Sequence, residues 1–316
     1  MLSDDEPNGR SPGGKERPRG AESFEVTSAS LIEIDYIAPP TQLSAYVSTM
    51  FHFRCDESVI RDIQPAAIGQ LALFPLGKGE MRFSNGQCDP NHEVSILCPS
   101  SEAIPFVVDG PMHSIGAALT PLGWAALTGL HAGEHGNRLY RASDWLGPKI
   151  EELGTAACAA YRNGQMTGPQ CTDMLADYIS QHLNKVNPRH EELITQVLRW
   201  LSSDLDPDLE TLYSQLTYSE RQAQRLVERY FGLNPRALRR KYRALRAAGL
   251  LALPNLTPEY EARLGEAFYD QSHMIREIRL FAGRTPTRLT DQESPYLTEM
   301  LDKKNFREID SLGPSD

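Results

Sequence analysis

The chain is predicted to be an α+β multidomain protein with an N-terminal β-barrel, a helical linker and an all-α C-terminal domain. Three observations carry this. Between Ile32 and about Leu127, short runs rich in β-branched and aromatic residues are bounded by Gly, Pro, Asn or Asp, the pattern of strands and turns. From Asp144 onward apolar residues recur at three and four positions, the spacing of helices. Between Ser219 and Gly283 two amphipathic segments set Arg, Gln and Ser opposite an apolar stripe. A length of 316 residues allows two domains of ordinary size, each able to bury a core.

Residues 1–28 are rich in Gly, Pro, Ser and charge and contain no apolar run, so a disordered arm is expected there. The arm lacks the apolar core of a signal peptide, and nowhere does the chain offer about 18 consecutive apolar residues. A cytoplasmic protein without a membrane partner is the expectation. The five cysteines are odd in number, widely spaced and form no CxxC, which suits buried thiols in a reducing compartment.

Residues 29–143 are expected to form the barrel. Its strands are placed at Phe51 to Cys55, Ala67 to Leu76, Gly79 to Phe83, Val94 to Cys98, Ile104 to Val108 and Ser114 to Leu119. Closely spaced short strands of this kind favour a barrel or sandwich over a parallel sheet. Residues 144–188 turn helical, with Ile150, Leu153 and Ala157, then Met174, Leu175, Tyr178, Ile179 and Leu183 on the apolar faces. Asn187-Pro188 breaks that run and marks a linker. Residues 189–290 begin a second domain with a helix from Arg189 to Ser202, and Leu209, Leu212 and Leu216 continue its core. Residues 291–316 form a polar, Pro-interrupted tail with no assigned role. Trp124, Trp145 and Trp200 are expected as core anchors.

The C-terminal domain holds two copies of one device, a short helix entered through a tight turn, each reading as the second helix of a helix-turn-helix. In the first copy Ala223, Leu226, Val227 and Tyr230 share an arc, and Arg221, Gln222, Gln224, Arg225 and Arg229 occupy the opposite one. Ser219 is placed to cap its start, and Gly232 followed by Asn234-Pro235 stops it. In the second copy Met274, Ile275, Ile278 and Phe281 make the buried stripe, Asp270 caps, and Ser272, His273 and Arg276 face outward. Arg and Gln pair bidentately with guanine and adenine edges, so the outer arcs carry readout chemistry as well as charge. Held rigidly, two such helices enter successive major-groove segments roughly 34 Å apart.

The formal charge of −10 argues against indiscriminate nucleic-acid binding, yet the window from Ser219 to Arg246 has nine Lys/Arg against two Asp/Glu. Its core is the run Arg236, Arg239, Arg240, Lys241, Arg243 and Arg246. Alone this is equally a solvated helix face. Beside two reading helices, Arg239, Arg240 and Lys241 are expected to contact phosphates, which fix register without specifying sequence.

The residues SERQAQRLVERYFGLNP and AFYDQSHMIREIRLFAGRTP resemble the two helix-turn-helix motifs of the AraC/XylS family of bacterial transcription regulators. The second is the more specific: Phe268, Asp270, Ser272 and Ile278, closed by Gly283, Thr285 and Pro286, stand in the family's signature order. The resemblance runs from near Arg189 to Leu289. It implies base or phosphate contacts from Arg221, Gln224 and Arg225 in the first reading helix, and from Gln271, Ser272 and Arg276 in the second. It further implies a cupin-like N-terminal effector domain, helices after the barrel that form a dimer interface, and no catalysis and no cofactor. The implied partners are double-stranded operator DNA, a small-molecule effector, a second copy of the chain and RNA polymerase. Four positions depart from the family, which favours small residues or glycine where this chain has Tyr213, Thr217, Arg263 and Ala267.

Two other classes remain open at this stage. His131, Glu134 and His135 match the letters H-x-x-E-H, which on a helix bring two imidazoles and a general-base carboxylate to a metal, as in a hydrolase. Gly129, Gly133 and Gly136 disfavour a helix there by about 1 kcal/mol each, and the bland alternative is a solvated loop after the last strand. An interaction adaptor whose degenerate motifs no longer read DNA is the second. A metal-binding barrel is disfavoured, since His52, His92 and His113 stand singly. No Walker loop, dinucleotide turn or GxSxG elbow occurs.

Overall fold

The computed structural model describes residues 27–28, 31–252 and 256–284. The tail and nearly all of the arm lie outside the described residues. An antiparallel sheet is built from β1 (Ile32–Ile37), β2 (Val47–Cys55), β3 (Val59–Gln64), β4 (Gln70–Arg82), β5 (Cys88–Pro90), β6 (Val94–Leu97), β7 (Ile104–Leu119) and, beyond two short helices, β8 (Leu139–Arg141). Its path runs β1-β2-β7-β4-β6-β8, with β3 added on β7 and β5 on β4. The expected barrel thus takes the form of a curved sheet whose path ends at β1 and β8.

The curvature has a local cause. The register of β4 against β7 shifts between Leu73 and Leu76 and again between Leu76 and Lys78, where Gly77 takes φ +92°. Such bulges bend a strand without ending it. The two runs read as separate strands on either side of that bend are therefore one strand, β4, and Ile104 to Val108 joins Ser114 to Leu119 in the same way as β7. β1 and β3 were not among the expected segments, although Ile32, Ile34 and Tyr36 alternate with Glu33, Asp35 and Ile37.

After β7 come α1 (Pro121–Thr128) and α2 (Ala132–His135), then, past β8, α3 (Ser143–Leu146), α4 (Pro148–Arg162) and α5 (Gly168–His182). α4 and α5 lay Ile150, Ala157, Cys158, Cys171, Leu175 and Ile179 on the sheet, in one core with Leu71, Leu73, Val94, Ile115 and Trp124. Burial pushes the Cys98 and Cys158 thiols up to about 12. Cys55 and Cys171 are buried too, whereas Cys88 is exposed. Trp124 and Trp200 are core residues at 1% and 2% exposure. Trp145, at 39%, is not the anchor expected. Its ring instead meets His135 at 4.8 Å and Tyr140 at 5.5 Å on the surface. Among the described residues no helix is long and apolar enough to cross a membrane.

The remaining helices are α6 (Pro188–Ser203), α7 (Leu209–Gln215), α8 (Glu220–Phe231), α9 (Pro235–Leu251), α10 (Pro258–Ala267) and α11 (Gln271–Ala282). The sequence pattern places α6, α8, α9 and α11, whereas α7 and α10 follow only from the helix-turn-helix resemblance; residues 183–187 separate α5 from α6. Two cores form here, one around Leu193, Val197, Trp200, Leu212, Val227 and Tyr242, the other around Leu245, Ala248, Leu264, Ile278 and Phe281. α9 is the beam between them, contributing its first half to one and its second half to the other. Both cores also reach the sheet part of the chain: Leu122 and Ala125 of α1 pack on the first, and Ala66 belongs to the second.

Candidate nucleic-acid interface

α8 begins at a capping box. Ser219 Oγ accepts from the Gln222 N–H at 3.4 Å, and Gln222 Oε1 accepts from the Ser219 N–H at 3.3 Å, so two orphan donors of the first turn are satisfied together. Gly232 ends the helix in the left-handed region at φ +81°. The helix buries Ala223, Val227, Tyr230 and Phe231 and leaves Arg221, Gln222, Gln224, Arg225 and Arg229 exposed. Gln222 is thus shared between capping and any outward role. The Gln224 amide donates to the Tyr213 hydroxyl at 3.2 Å, which places the bulky residue of α7 alongside the reading helix rather than between the two. The Arg229 guanidinium lies 6.0 Å from the Tyr230 ring. The Tyr230 hydroxyl is 2.7 Å from His190 Nδ1, and burial, helped by the Arg229 charge, lowers the His190 pKa.

α11 repeats the construction. Asp270 Oδ1 accepts from the His273 N–H at 2.7 Å, and Gly283 ends the helix at φ +78°. Gln271, Ser272 and Arg276 are exposed and His273 is half-buried. Ile275, expected in the buried stripe, is only half-buried. The place beside Ile278 and Phe281 goes to Glu277, which is 2% exposed. Its carboxylate accepts from Arg240 Nε at 2.6 Å and from Arg243 Nη2 at 2.6 Å, with His273 Nε2 at 3.2 Å. Burial alone would raise this carboxyl; hydrogen bonds from Arg240 and Arg243 outweigh it and hold Glu277 below the usual range. The signal was legible: with Met274, Ile278 and Phe281 it stands at helical spacing, a lone charge on an apolar stripe.

The basic run of α9 has a different role from the one expected. Lys241 is 3% exposed, and its Nζ donates to the Ala67 and Ser100 carbonyls at 3.0 and 2.8 Å. The expectation that Lys241 contacts a phosphate is corrected: its ammonium is spent inside the protein, joining α9 to the sheet part. Arg239 lies 3.1 Å from Asp206 Oδ1, and Arg240 holds Glu277. Arg243 bridges Asp206 and Glu277, while Arg246 Nη2 donates to the Asp204 and Leu205 carbonyls at 2.6 and 2.9 Å. Arg236, by contrast, is exposed. Basic composition here measures how tightly the beam is tied to its neighbours.

The His131 to His135 segment is also not the solvated loop expected. It forms the helical turn α2, against α8, so close that a Cβ on Gly133 would stand 2.8 Å from Glu228 Cγ. His131 Nδ1 accepts from the Gly133 and Glu134 N–H groups at 3.2 and 3.3 Å, while the His135 ring turns to Trp145. The two imidazoles serve different neighbours, and among the described residues no group of three or more His, Cys, Asp or Glu is arranged to hold a metal. The hydrolase alternative finds no support in this geometry.

A cavity of about 140 Å³ lies between the sheet and α9. Phe51, Phe53, Phe74, Phe106, Met81 and Met112 are among the large apolar side chains of its wall, and Lys241, Tyr242 and Leu245 close it from α9. None of the three tryptophans lines it.

Residues 212–292 match the model of a family described as a helix-turn-helix domain. No curated protein matches the chain. Among solved structures, ToxT from Vibrio cholerae (P21 form) is similar at 10% identity and a TM-score of 0.46, covering 86% of this chain and 98% of that one. Unsaturated fatty acid bound wild-type ToxT from Vibrio cholerae strain SCE256 gives 12% identity, a TM-score of 0.40, and coverage of 77% and 95%. The AraC-like transcriptional activator CuxR gives 12% identity, a TM-score of 0.28, and coverage of 67% and 86%. Over residues 212–292, which include α8 to α11, the chain carries a helix-turn-helix domain.

Proposed function

We propose that this chain is a sequence-specific, effector-modulated DNA-binding regulator that uses two helix-turn-helix units, α7–α8 and α10–α11, in successive major-groove segments. The observation that carries the reading is the exposure of Arg221, Gln224 and Arg225 on α8 and of Gln271, Ser272 and Arg276 on α11, each helix capped at both ends and buried on its other face. Arg225 makes no ion pair or hydrogen bond among the described residues, so its guanidinium is available to a base edge or a phosphate. Arg240 keeps partial exposure and adds charge beside α11, and Arg239 does so beside Asp206, ahead of α7.

The cavity supports the second half of the reading. Its volume is close to the 150 Å³ or so that holds benzene in an apolar protein interior. A small, mostly apolar molecule fits that lining. Because α9 closes the cavity, a ligand there touches both parts of the chain, which is what a differential affinity between two arrangements needs. The family resemblance adds a homodimer, with α4 and α5 as the helices that follow the sheet, and contact with RNA polymerase.

Recovery of the DNA fragments bound by the chain across a bacterial genome, followed by fluorescence anisotropy on one of them, tests the reading. Arg225→Ala and Arg276→Ala are each expected to cost about 1–3 kcal/mol on the recovered site. Wild-type affinity in both variants contradicts the assignment.

A further inference from the structure

The sheet part of the chain holds the second reading helix by its last turn. The final carbonyls of any helix have no partner within it. Two of those on α11 are taken from outside: the Ala103 N–H donates to the Leu280 carbonyl at 2.9 Å, and the Ala66 N–H to that of Phe281 at 2.7 Å. Just past the helix, Arg284 pairs with Asp62 of β3, their side chains 5% and 1% exposed. Between these contacts lies Gly283, so close to β3 that a Cβ would sit 2.3 Å from Ile63 Cγ2. Glycine meets both demands there, the left-handed turn and the close approach.

The ion pair is incompletely satisfied. Asp62 Oδ2, Arg284 Nε and Arg284 Nη1 have no hydrogen-bond partner among the described residues. Burial raises the Asp62 carboxyl, and Arg284 and the Ile63 N–H offset this only in part. A buried pair of this kind adds little net stability, but it leaves an uncompensated charge if the two sides separate, so it selects one placement of the helix end. The segment that carries the contacts is also a wall of the cavity, which Gln64, Pro65, Ala66 and Ala67 all line. The Ala67 carbonyl is in turn one of the two that hold Lys241.

We propose that Asp62 is a positioning residue for the second reading helix, acting through Arg284 and the strap Gln64 to Ala67, and that filling the cavity alters DNA binding by moving this strap. The inference rests on the reading of the chain as an effector-modulated DNA-binding regulator. Asp62 itself touches no DNA, being wholly buried. Its effect is therefore specific to α11 and spares α8.

The test uses the full chain and two readouts. Hydrogen exchange without DNA is expected to rise about tenfold or more in Asp62→Asn at the end of α11, with α8 and β2 unchanged. On a recovered DNA fragment, Arg276→Ala is expected to lose about tenfold in affinity in the wild-type background and less than about twofold in Asp62→Asn, while the Arg225→Ala loss is the same in both. Unaltered exchange at α11, or an Arg276→Ala loss that Asp62→Asn leaves intact, overturns the proposal. Arg284→Met, which lets Asp62 take up a proton, is the second variant and is judged by the same outcomes should Asp62→Asn not fold. Ala72→Leu, which fills part of the cavity from β4, is expected to change exchange at the end of α11 by about threefold or more, and no change overturns the link to the cavity. If the wild-type chain holds no DNA, the regulator reading fails by itself, and the exchange measurements still decide whether Asp62 positions α11.

Discussion

Lys241 shows what burial does to a charge that a linear reading assigns to the surface. Its ammonium sits between two backbone carbonyls, so removing it strands two acceptors in an apolar setting. Lys241→Met is expected to cost about 1–3 kcal/mol of stability. It is also expected to leave the salt slope of DNA binding unaltered, because no phosphate contact is lost. Thermal unfolding reads the first effect and a salt titration the second; a slope flatter by about one contact would put the ammonium on DNA after all. Glu277 is the converse case, an anion inside a stripe of apolar residues. Glu277→Gln leaves buried Arg243 with Asp206 as its remaining carboxylate and is expected to cost about 1–3 kcal/mol. Since the folded carboxyl is held below its ordinary 4.5, the stability it contributes is present above that pH and is lost as pH falls through the folded value. At this scale the sequence is informative about type and spacing: Ser219, Asp270, Gly232 and Gly283 announce their capping roles. It is silent about distant partners, and those decide where Lys241 and Arg243 end up.

Helices are the legible elements, because their signals are local. The start and stop residues of α8 and α11 lie within a turn of the ends they fix, and the apolar stripes of α6, α8 and α9 repeat over three turns or more. Strands were harder where the backbone bends. A bulge and a positive-φ glycine look like a turn in sequence, and only pairing with β7 shows that β4 continues through them. Beside its apolar core, the docking of α4 and α5 on the sheet includes a polar cluster that no local pattern displays. The Tyr161 hydroxyl of α4 lies 2.9 Å from His52 Nε2 and 2.7 Å from His113 Nδ1, and Gly168 of α5 leaves room for the His52 ring. Burial, then the charges of Arg54 and His113, lowers His52 from 6.5 to about 4. In the unfolded chain the same imidazole takes up a proton near pH 6.5, so its contribution to stability is present above that pH. The contribution is lost as pH falls from 6.5 toward 4, by up to about 3 kcal/mol. Denaturant unfolding at pH 7 and pH 5 is expected to show the loss in the wild-type chain and a smaller one in His52→Gln; an equal loss in both would place the dependence elsewhere.

The whole molecule is tied together along α9, α11 and the strap between β3 and β4. Its basic helix was read as a face for phosphates, whereas most of its cations hold carboxylates and carbonyls of neighbouring elements. Such contacts join residues far apart in the chain, so they leave no periodicity to read. One consequence is that the cavity, the strap and α11 form one connected structure, the route that the proposal above assigns to a ligand in the cavity. Another is that the two reading helices are held by different partners: α8 beside α1 and α2, α11 by α9 and the strap. Hydroxyl-radical footprinting of the wild-type chain on a recovered fragment, repeated with Arg225→Ala and Arg276→Ala, bears most directly on the claim that both helices read one duplex. Two protected patches about one helical turn apart are expected, with Arg225→Ala erasing one and Arg276→Ala the other. A single patch weakened alike by both substitutions, or no protection at all, would contradict it.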